Sequence, residues 1–91
     1  MSLLSNKTAL ITGASKGIGR AVAMRFAQQG ANVAFTYLSS VEQGQALEAE
    51  LRAFGVKAKG YRSDASDFKQ AETLINDVVA EFGSLDILVN N

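Results

Sequence analysis

The stretch Lys7–Gly19, KTALITGASKGIG, decides the fold of this chain. A short apolar run at Ala9–Ile11 leads into a loop that holds Gly13, Gly17 and Gly19, and a helical pattern of apolar residues follows. This order of strand, glycine loop and helix presents backbone N–H groups and the positive end of a helix to an anionic phosphate. The stretch therefore predicts nucleotide binding.

Composition limits the chemistry that the chain can perform. Its 91 residues are 47% hydrophobic and 20% charged, which is typical of an ordinary globular domain. Cysteine and histidine are both absent, which excludes disulfides and thiolate chemistry, argues against a zinc site and removes the commonest general base. The first residues, MSLLSNK, lack the features of a signal peptide, and no apolar run has the length of a membrane span. A cytoplasmic location is expected.

Charge is zero overall but unevenly distributed. Four basic residues and no acid precede Glu42, and nine acids and five bases follow from there. The basic part contains the glycine loop, which suits an anionic ligand, although four charges could also fall this way by chance. No cluster of Lys and Arg with interleaved aromatic residues predicts a nucleic-acid partner.

Apolar bursts alternate with helical periodicity along the whole chain. Strands are predicted over residues 8–12, 32–37, 56–61 and 86–90, and helices over 17–29, 41–54 and from Ser66 or Asp67 to Phe82. This alternation predicts an α/β fold with a parallel sheet. Residues 56–61 alternate between small or apolar and polar residues, which is typical of an edge strand, and strands one and four are the most continuously apolar, so the predicted strand order is 3-2-1-4. We expect residues 1–91 to form the N-terminal half of a Rossmann-like, doubly wound dinucleotide-binding domain.

Each helix has a predicted apolar face. Helices one and two are expected to cover one side of the sheet and helix three the other, and Glu48 and Arg52 can pair on the outside of helix two. The predicted faces are Ile18, Val22 and Phe26; Leu47, Leu51 and Phe54; and Phe68, Ala71, Ile75, Val78 and Phe82.

Three motifs together resemble the classical short-chain dehydrogenases/reductases. They are Thr12–Gly19 (TGASKGIG), Asp64-Ala65 after the third strand, and Leu88–Asn91 (LVNN) after the fourth. Within that family the chain is most similar to the 3-oxoacyl-[acyl-carrier-protein] reductases of fatty acid synthesis. The resemblance implies reduction of a 3-oxoacyl-carrier-protein with NADPH, acyl-carrier-protein as partner and a homo-oligomer. The alternatives are another member of the family acting on a small carbonyl or alcohol, and a non-catalytic nucleotide-binding or assembly fragment.

The resemblance also implies roles for individual residues. Asp64 would bind the adenine amino group, Ala65 would support the ring, and Asn90 would stabilise the sheet beside the adenosine. Two simpler interpretations remain open: Asp64 could cap the third helix, and Asn90 could end a strand without touching a ligand. The loop backbone would surround the phosphates and ribose at Gly13, Ser15, Lys16, Gly17 and Ile18, with Gly19 allowing close packing of helix on strand.

The end of the second strand bears on the choice of cofactor. Sites selective for NAD usually place an acid there, which accepts from the ribose 2′-hydroxyl. Here Tyr37 takes that place, so nothing repels a 2′-phosphate, and NADP is the predicted cofactor. Lys16, Ser39 and Ser40 could contact the phosphate, although Lys16 could instead be a solvated loop lysine.

The family's catalytic Tyr-x-x-x-Lys spacing is absent from this chain. Tyr37 is followed four positions later by Val41, and Tyr61 by Ala65. The catalytic residues are therefore expected beyond residue 91, and the isolated chain is expected to be inactive. It is also expected to self-associate through the fourth strand and the uncovered face of the sheet.

Overall fold

The fold alternates four strands with three helices in the predicted order. The computed structural model describes residues 3–14, 17–64 and 67–91. Its elements are β1 (Thr8–Ile11), α1 (Gly17–Gln28), β2 (Asn32–Tyr37), α2 (Val41–Arg52), β3 (Ala58–Arg62), α3 (Phe68–Phe82) and β4 (Ile87–Val89). The predicted element types are all confirmed, and the boundaries differ by one or two residues.

The strands form one parallel sheet in the order β3-β2-β1-β4. Ala9 of β1 pairs with Val33 of β2 on one side and with Ile87 of β4 on the other. Parallel pairing requires a crossover after each strand, which the three helices provide. The predicted α/β fold and strand order are confirmed, and all four strands end at the same edge of the sheet.

The face of α1 that packs on the sheet differs from the predicted face. Its buried residues are Gly19, Ala23 and Ala27, whereas Ile18 is 76% exposed. Small side chains face the sheet because they let the helix axis approach it, and Val22 and Phe26 pack at the margins of the same core. The expected stripe is therefore wrong at Ile18 and correct in part at Val22 and Phe26, and the fully buried residues lie one position further along the chain.

The helix α2 has the predicted face with one correction. Leu47 and Leu51 are fully buried, but the helix ends at Arg52, so Phe54 lies outside it and is 43% exposed. The predicted pair forms on the outer side, with 3.1 Å between Arg52 Nη2 and Glu48 Oε1.

The helix α3 covers the opposite side of the sheet, as predicted. Leu74 and Val78 pack against Leu10 of β1 and Ala34 of β2. The predicted face was correct at Val78 and Phe82, but it included Phe68 and Ile75, which are exposed, and omitted Leu74. α3 has more apolar residues than one face can bury, and spacing alone did not identify the buried set.

Apolar side chains remain exposed on α3, at Ile75 and Val79, and on β4, at Leu88.

Within the described ranges 3–14, 17–64 and 67–91, no helix combines the length and apolarity that crossing a membrane needs.

Candidate functional site

A cleft of about 190 Å³ opens where the strands end. Its walls come from the ends of the strands and the segments that follow them: Thr12, Gly13, Thr36, Leu38, Ser63, Asp64 and Asn91. In open α/β sheets, ligands bind at the carboxyl ends of the strands. The cleft therefore lies where the sequence predicts nucleotide binding.

The turn after β1 is fastened to β2. Gly13 has a positive φ of 64°, which favours glycine, and its N–H donates to Thr36 Oγ1 at 2.9 Å. The next amide, of Ala14, donates to the Thr36 carbonyl at 3.0 Å. Both amides are thus used inside the protein. An anion at this loop would need donors other than these two amides.

The same turn is fastened to the end of β4. Asn91 Nδ2 donates to the Gly13 carbonyl at 3.2 Å, and the Asn91 N–H donates to Thr12 Oγ1 at 3.0 Å. The Thr12 hydroxyl in turn donates to Asn90 Oδ1 at 3.2 Å. Asn90 therefore links the ends of β1 and β4, which gives it a structural contact whether or not a ligand also reaches it.

Gly19 is required by close packing rather than by its backbone angle. A Cβ at this position would lie 2.4 Å from the Gly13 carbonyl oxygen, 2.9 Å from Ala14 Cα and 2.7 Å from Asn91 Nδ2. Two of these atoms belong to the backbone and cannot simply rotate away. The first turn of α1 therefore lies directly on the β1 turn, which brings the helix N-terminus to the cleft.

Gly17 has the opposite requirement. Its φ is 65°, yet a Cβ there would meet no atom within 4 Å in the part of the chain that the structure describes. This glycine supplies a left-handed backbone at the start of α1. Of the other loop residues predicted to bind, Ile18 is exposed, and Ser15 and Lys16 lie outside the described residues.

Two of the residues predicted near a 2′-phosphate, Tyr37 and Ser40, make contacts with α2. The Tyr37 ring lies over Gly44 of α2, where a Cβ would be 2.7 Å from Tyr37 Cδ1. Ser40 caps α2, and its Oγ accepts from the Gln43 N–H at 3.3 Å. Ser39 lies exposed between them. These residues lie together where β2 passes into α2.

Asp64 lines the cleft and does not cap α3. The cap is Asp67, whose Oδ1 accepts from the N–H groups of Lys69 and Gln70 at 3.0 and 3.1 Å. The Asp64 N–H donates to Gln70 Oε1 at 2.9 Å, which fixes the backbone beside the cleft. The capping alternative for Asp64 is therefore wrong. Ala65 and Ser66 lie outside the described residues.

Five residues of the cleft were not among the predicted binding residues. Thr12 and Asn91 were noted only as parts of motifs, and Thr36 looks like an ordinary β-branched strand residue. Ser63 and Leu38 belong to no motif. Leu38 is 62% exposed and lines the cleft, so it offers an apolar surface to a flat ring. The sequence offered only a leucine followed by two serines as a signal for it.

A second cavity, of about 250 Å³, lies between β3 and α3. The hydroxyls of Tyr61 and Ser63 are buried there without a hydrogen-bond partner among the described residues. Burial raises the pKa of Tyr61, and the carboxylates of Glu81, Asp77 and Glu48 raise it further. This cavity is larger than the cleft but has no glycine turn among its walls. Among the described residues, no cluster of three or more acids could hold a metal ion.

Comparison with known proteins identifies the family. The model for "short chain dehydrogenase" matches residues 7–91. The chain belongs to this family, which confirms the resemblance drawn from the three motifs.

The relatives differ in what they act on. The chain is 45% identical over 85 residues to the 3-oxoacyl-[acyl-carrier-protein] reductase FabG of Staphylococcus aureus, covering 93% of this chain and 35% of that protein. It is 43% identical over 91 residues to the L-rhamnose 1-dehydrogenase (NAD(P)(+)) of a Sphingomonas species, covering all of this chain and 36% of the relative. The chain thus spans about a third of the length of these relatives.

The fold is also found in solved structures. A short chain dehydrogenase from Burkholderia cenocepacia, crystallised in complex with NADP, superimposes with a TM-score of 0.94 at 45% sequence identity. The match covers 97% of this chain and 36% of that one. The match supports the confirmed Rossmann-like fold.

Proposed function

We propose that the whole protein reduces 3-oxoacyl-[acyl-carrier-protein] with NADPH in fatty acid synthesis. This chain provides the N-terminal part of its dinucleotide-binding domain and none of its catalytic residues. The observation that carries the proposal is the β1 turn, held between β2 and β4 with α1 starting directly on it. The FabG-like sequence supports the choice of substrate. Acyl-carrier-protein as partner, a homo-oligomer and a cytoplasmic location belong to the same proposal.

The residues of the cleft fit a dinucleotide. When bound, the cofactor supplies a hydride to the carbonyl carbon of the substrate. This chain's task is to bind and orient the other end of the cofactor. Amides that follow Ala14 and the N-terminus of α1 bind the diphosphate. The Asp64 carboxylate accepts from the adenine amino group, and Leu38 and Ala65 flank the ring.

The second candidate is another reaction of the same family. The similarity to L-rhamnose 1-dehydrogenase is nearly as high as the similarity to FabG, and this chain contains no residue that contacts a substrate in either proposal. A dehydrogenase acting on a small carbonyl or alcohol would use the same cleft for its cofactor. A non-catalytic nucleotide-binding fragment is the third interpretation, supported by the absence of Tyr-x-x-x-Lys from these 91 residues.

NADP is the proposed cofactor because no acid stands at the end of β2. Tyr37 occupies that position, and Ser39 and Ser40 follow at the start of α2. The NADP complex of the Burkholderia relative supports the choice. Lys16 is proposed to contact the 2′-phosphate.

Lys16→Ala should weaken the binding of NADPH by about tenfold, as expected for the loss of one charge-assisted hydrogen bond, and leave NADH binding within about twofold. The reason is that only NADPH carries the 2′-phosphate. Fluorescence titration of the complete protein with each cofactor measures both constants. Equal losses for the two cofactors would contradict the phosphate contact.

The proposed reaction is tested on the complete protein in two assays, one for each relative. NADPH oxidation is followed with an acetoacetyl thioester of acyl-carrier-protein, and NADP⁺ reduction is followed with L-rhamnose. We expect turnover of the thioester and a much lower rate with the sugar. Turnover of L-rhamnose alone would replace the proposed substrate, and no dinucleotide binding would overturn the proposal as a whole.

A further inference from the structure

We propose that Thr36 is a positioning residue for the dinucleotide loop. Its hydroxyl, presented by β2, holds the β1 turn in the shape that the bound cofactor requires. The inference rests on the proposed function, since it concerns the same cleft, and it assigns a role to a residue that no motif of the sequence includes.

Thr36 accepts from two successive amides of the turn. Its side chain is buried, with Oγ1 2.9 Å from the Gly13 nitrogen, and its carbonyl oxygen lies 3.0 Å from the Ala14 nitrogen. One residue of β2 therefore satisfies both donors. Neither N–H is left to turn toward a phosphate, so the turn is a support for the anion site rather than part of it.

The position requires a hydroxyl and not only a β-branched side chain. The preceding residues of β2, Val33, Ala34 and Phe35, are apolar and fully buried, so valine would suit position 36 equally well for packing. Thr12, just before the turn, donates its N–H to Val89 of β4, whereas Gly13 donates across to β2. Valine at position 36 would remove the acceptor of the Gly13 amide, and with it the part-buried hydrogen bond that ties the turn to β2.

A displacement of the β1 turn would also move the start of α1. The Gly13 carbonyl oxygen lies only 2.4 Å from where a Cβ of Gly19 would be, so the turn and the helix are in close contact. Without the Thr36 hydroxyl, the side-chain contact that still fixes Gly13 is the one from Asn91. Movement of Gly13 therefore shifts the helix N-terminus that is proposed to bind the diphosphate.

Two matched variants of the complete protein test this role. Thr36→Val removes the acceptor at constant shape, and Thr36→Ser keeps it. We expect Thr36→Val to raise the Kd for NADPH about tenfold, as for the loss of one hydrogen bond, and Thr36→Ser to change it less than about twofold. The kcat at saturating NADPH should change little in both, so that the loss appears in the KM for the cofactor.

The outcomes separate this role from a purely structural one. If Thr36→Val lowers Tm but binds NADPH as tightly as the wild type, Thr36 stabilises the fold only and the inference is overturned. If the wild type itself binds no dinucleotide, the proposed function fails before the role of Thr36 is reached.

A measurement on the wild type decides the matter even if Thr36→Val does not fold. Hydrogen exchange of the Gly13 amide should already be slow in the protein without cofactor, and NADPH should not slow it further. An amide that exchanges fast alone and becomes protected only by NADPH would be a cofactor donor. That result would overturn the inference.

Discussion

Gly19→Ala is expected to abolish tight cofactor binding. A methyl group at this position would approach the Gly13 carbonyl oxygen to 2.4 Å and Ala14 Cα to 2.9 Å. Helix propensity alone would favour alanine by about 1 kcal/mol, since Gly19 lies within α1. Overpacking against backbone costs more, typically about 1–3 kcal/mol, so the free energy of unfolding should fall despite the better helix former.

The loss of affinity should exceed the loss of stability. Because α1 must move away from the turn, its N-terminus leaves the diphosphate, and we expect NADPH to bind about a hundredfold more weakly, or about 2.7 kcal/mol. Calorimetric titration of the complete protein measures the affinity, and thermal unfolding measures the stability.

Gly55→Ala is the matched control for this change. Gly55 lies just after α2, has a φ of 85°, and would place its Cβ in open space. Alanine there should cost about 1–2 kcal/mol of stability through backbone strain, with no change in affinity. A Gly19→Ala protein that binds NADPH within threefold of the wild type would contradict the close packing of α1 on the turn.

Tyr37→Asp is expected to reverse the proposed preference for NADPH over NADH. A carboxylate at the end of β2 would face the 2′-phosphate of NADPH, and repulsion of about 2 kcal/mol corresponds to roughly thirtyfold weaker binding. NADH should bind more tightly, because the same carboxylate can accept from the free ribose 2′-hydroxyl. Titration with both cofactors gives the ratio of the two constants.

Tyr37→Asn is the control that isolates the charge. Both substitutions remove the ring that lies over Gly44, so both lose the same packing. Only aspartate adds a negative charge. If the two variants lose the same affinity for NADPH, the effect belongs to packing, and the proposed position of the 2′-phosphate beside Tyr37 is contradicted.

The sheet was predictable because each strand and helix carries its own local pattern. Alternation of apolar runs with helical periodicity predicts the parallel sheet, and the polar pattern of residues 56–61 predicts an edge strand, which β3 is. The buried faces of α1 and α3 were harder to predict from the sequence. The residues of α1 nearest the sheet are Gly19, Ala23 and Ala27, whose small size hides them from a search for large apolar side chains.

Only those residues of the site that belong to a contiguous sequence motif could be predicted. Gly19 could be recognised from the glycine loop, but the role of Thr36 depends on its contact with Gly13, which is 23 residues away in the chain. The register of β1 on β2 creates that contact, with Ile11 opposite Phe35. Spacing along the sequence does not reveal which hydroxyl will stand beside which amide.

The most direct test of the account is a titration of the ¹⁵N-labelled protein with NADP⁺, followed by amide chemical shifts. The glycine loop, the start of α1 and Asp64 should shift together. Tyr61 and Asp77, which line the second cavity, should stay unchanged. Shifts confined to the second cavity, or none in the loop at millimolar NADP⁺, would contradict the claim that the turn after β1 supports a dinucleotide.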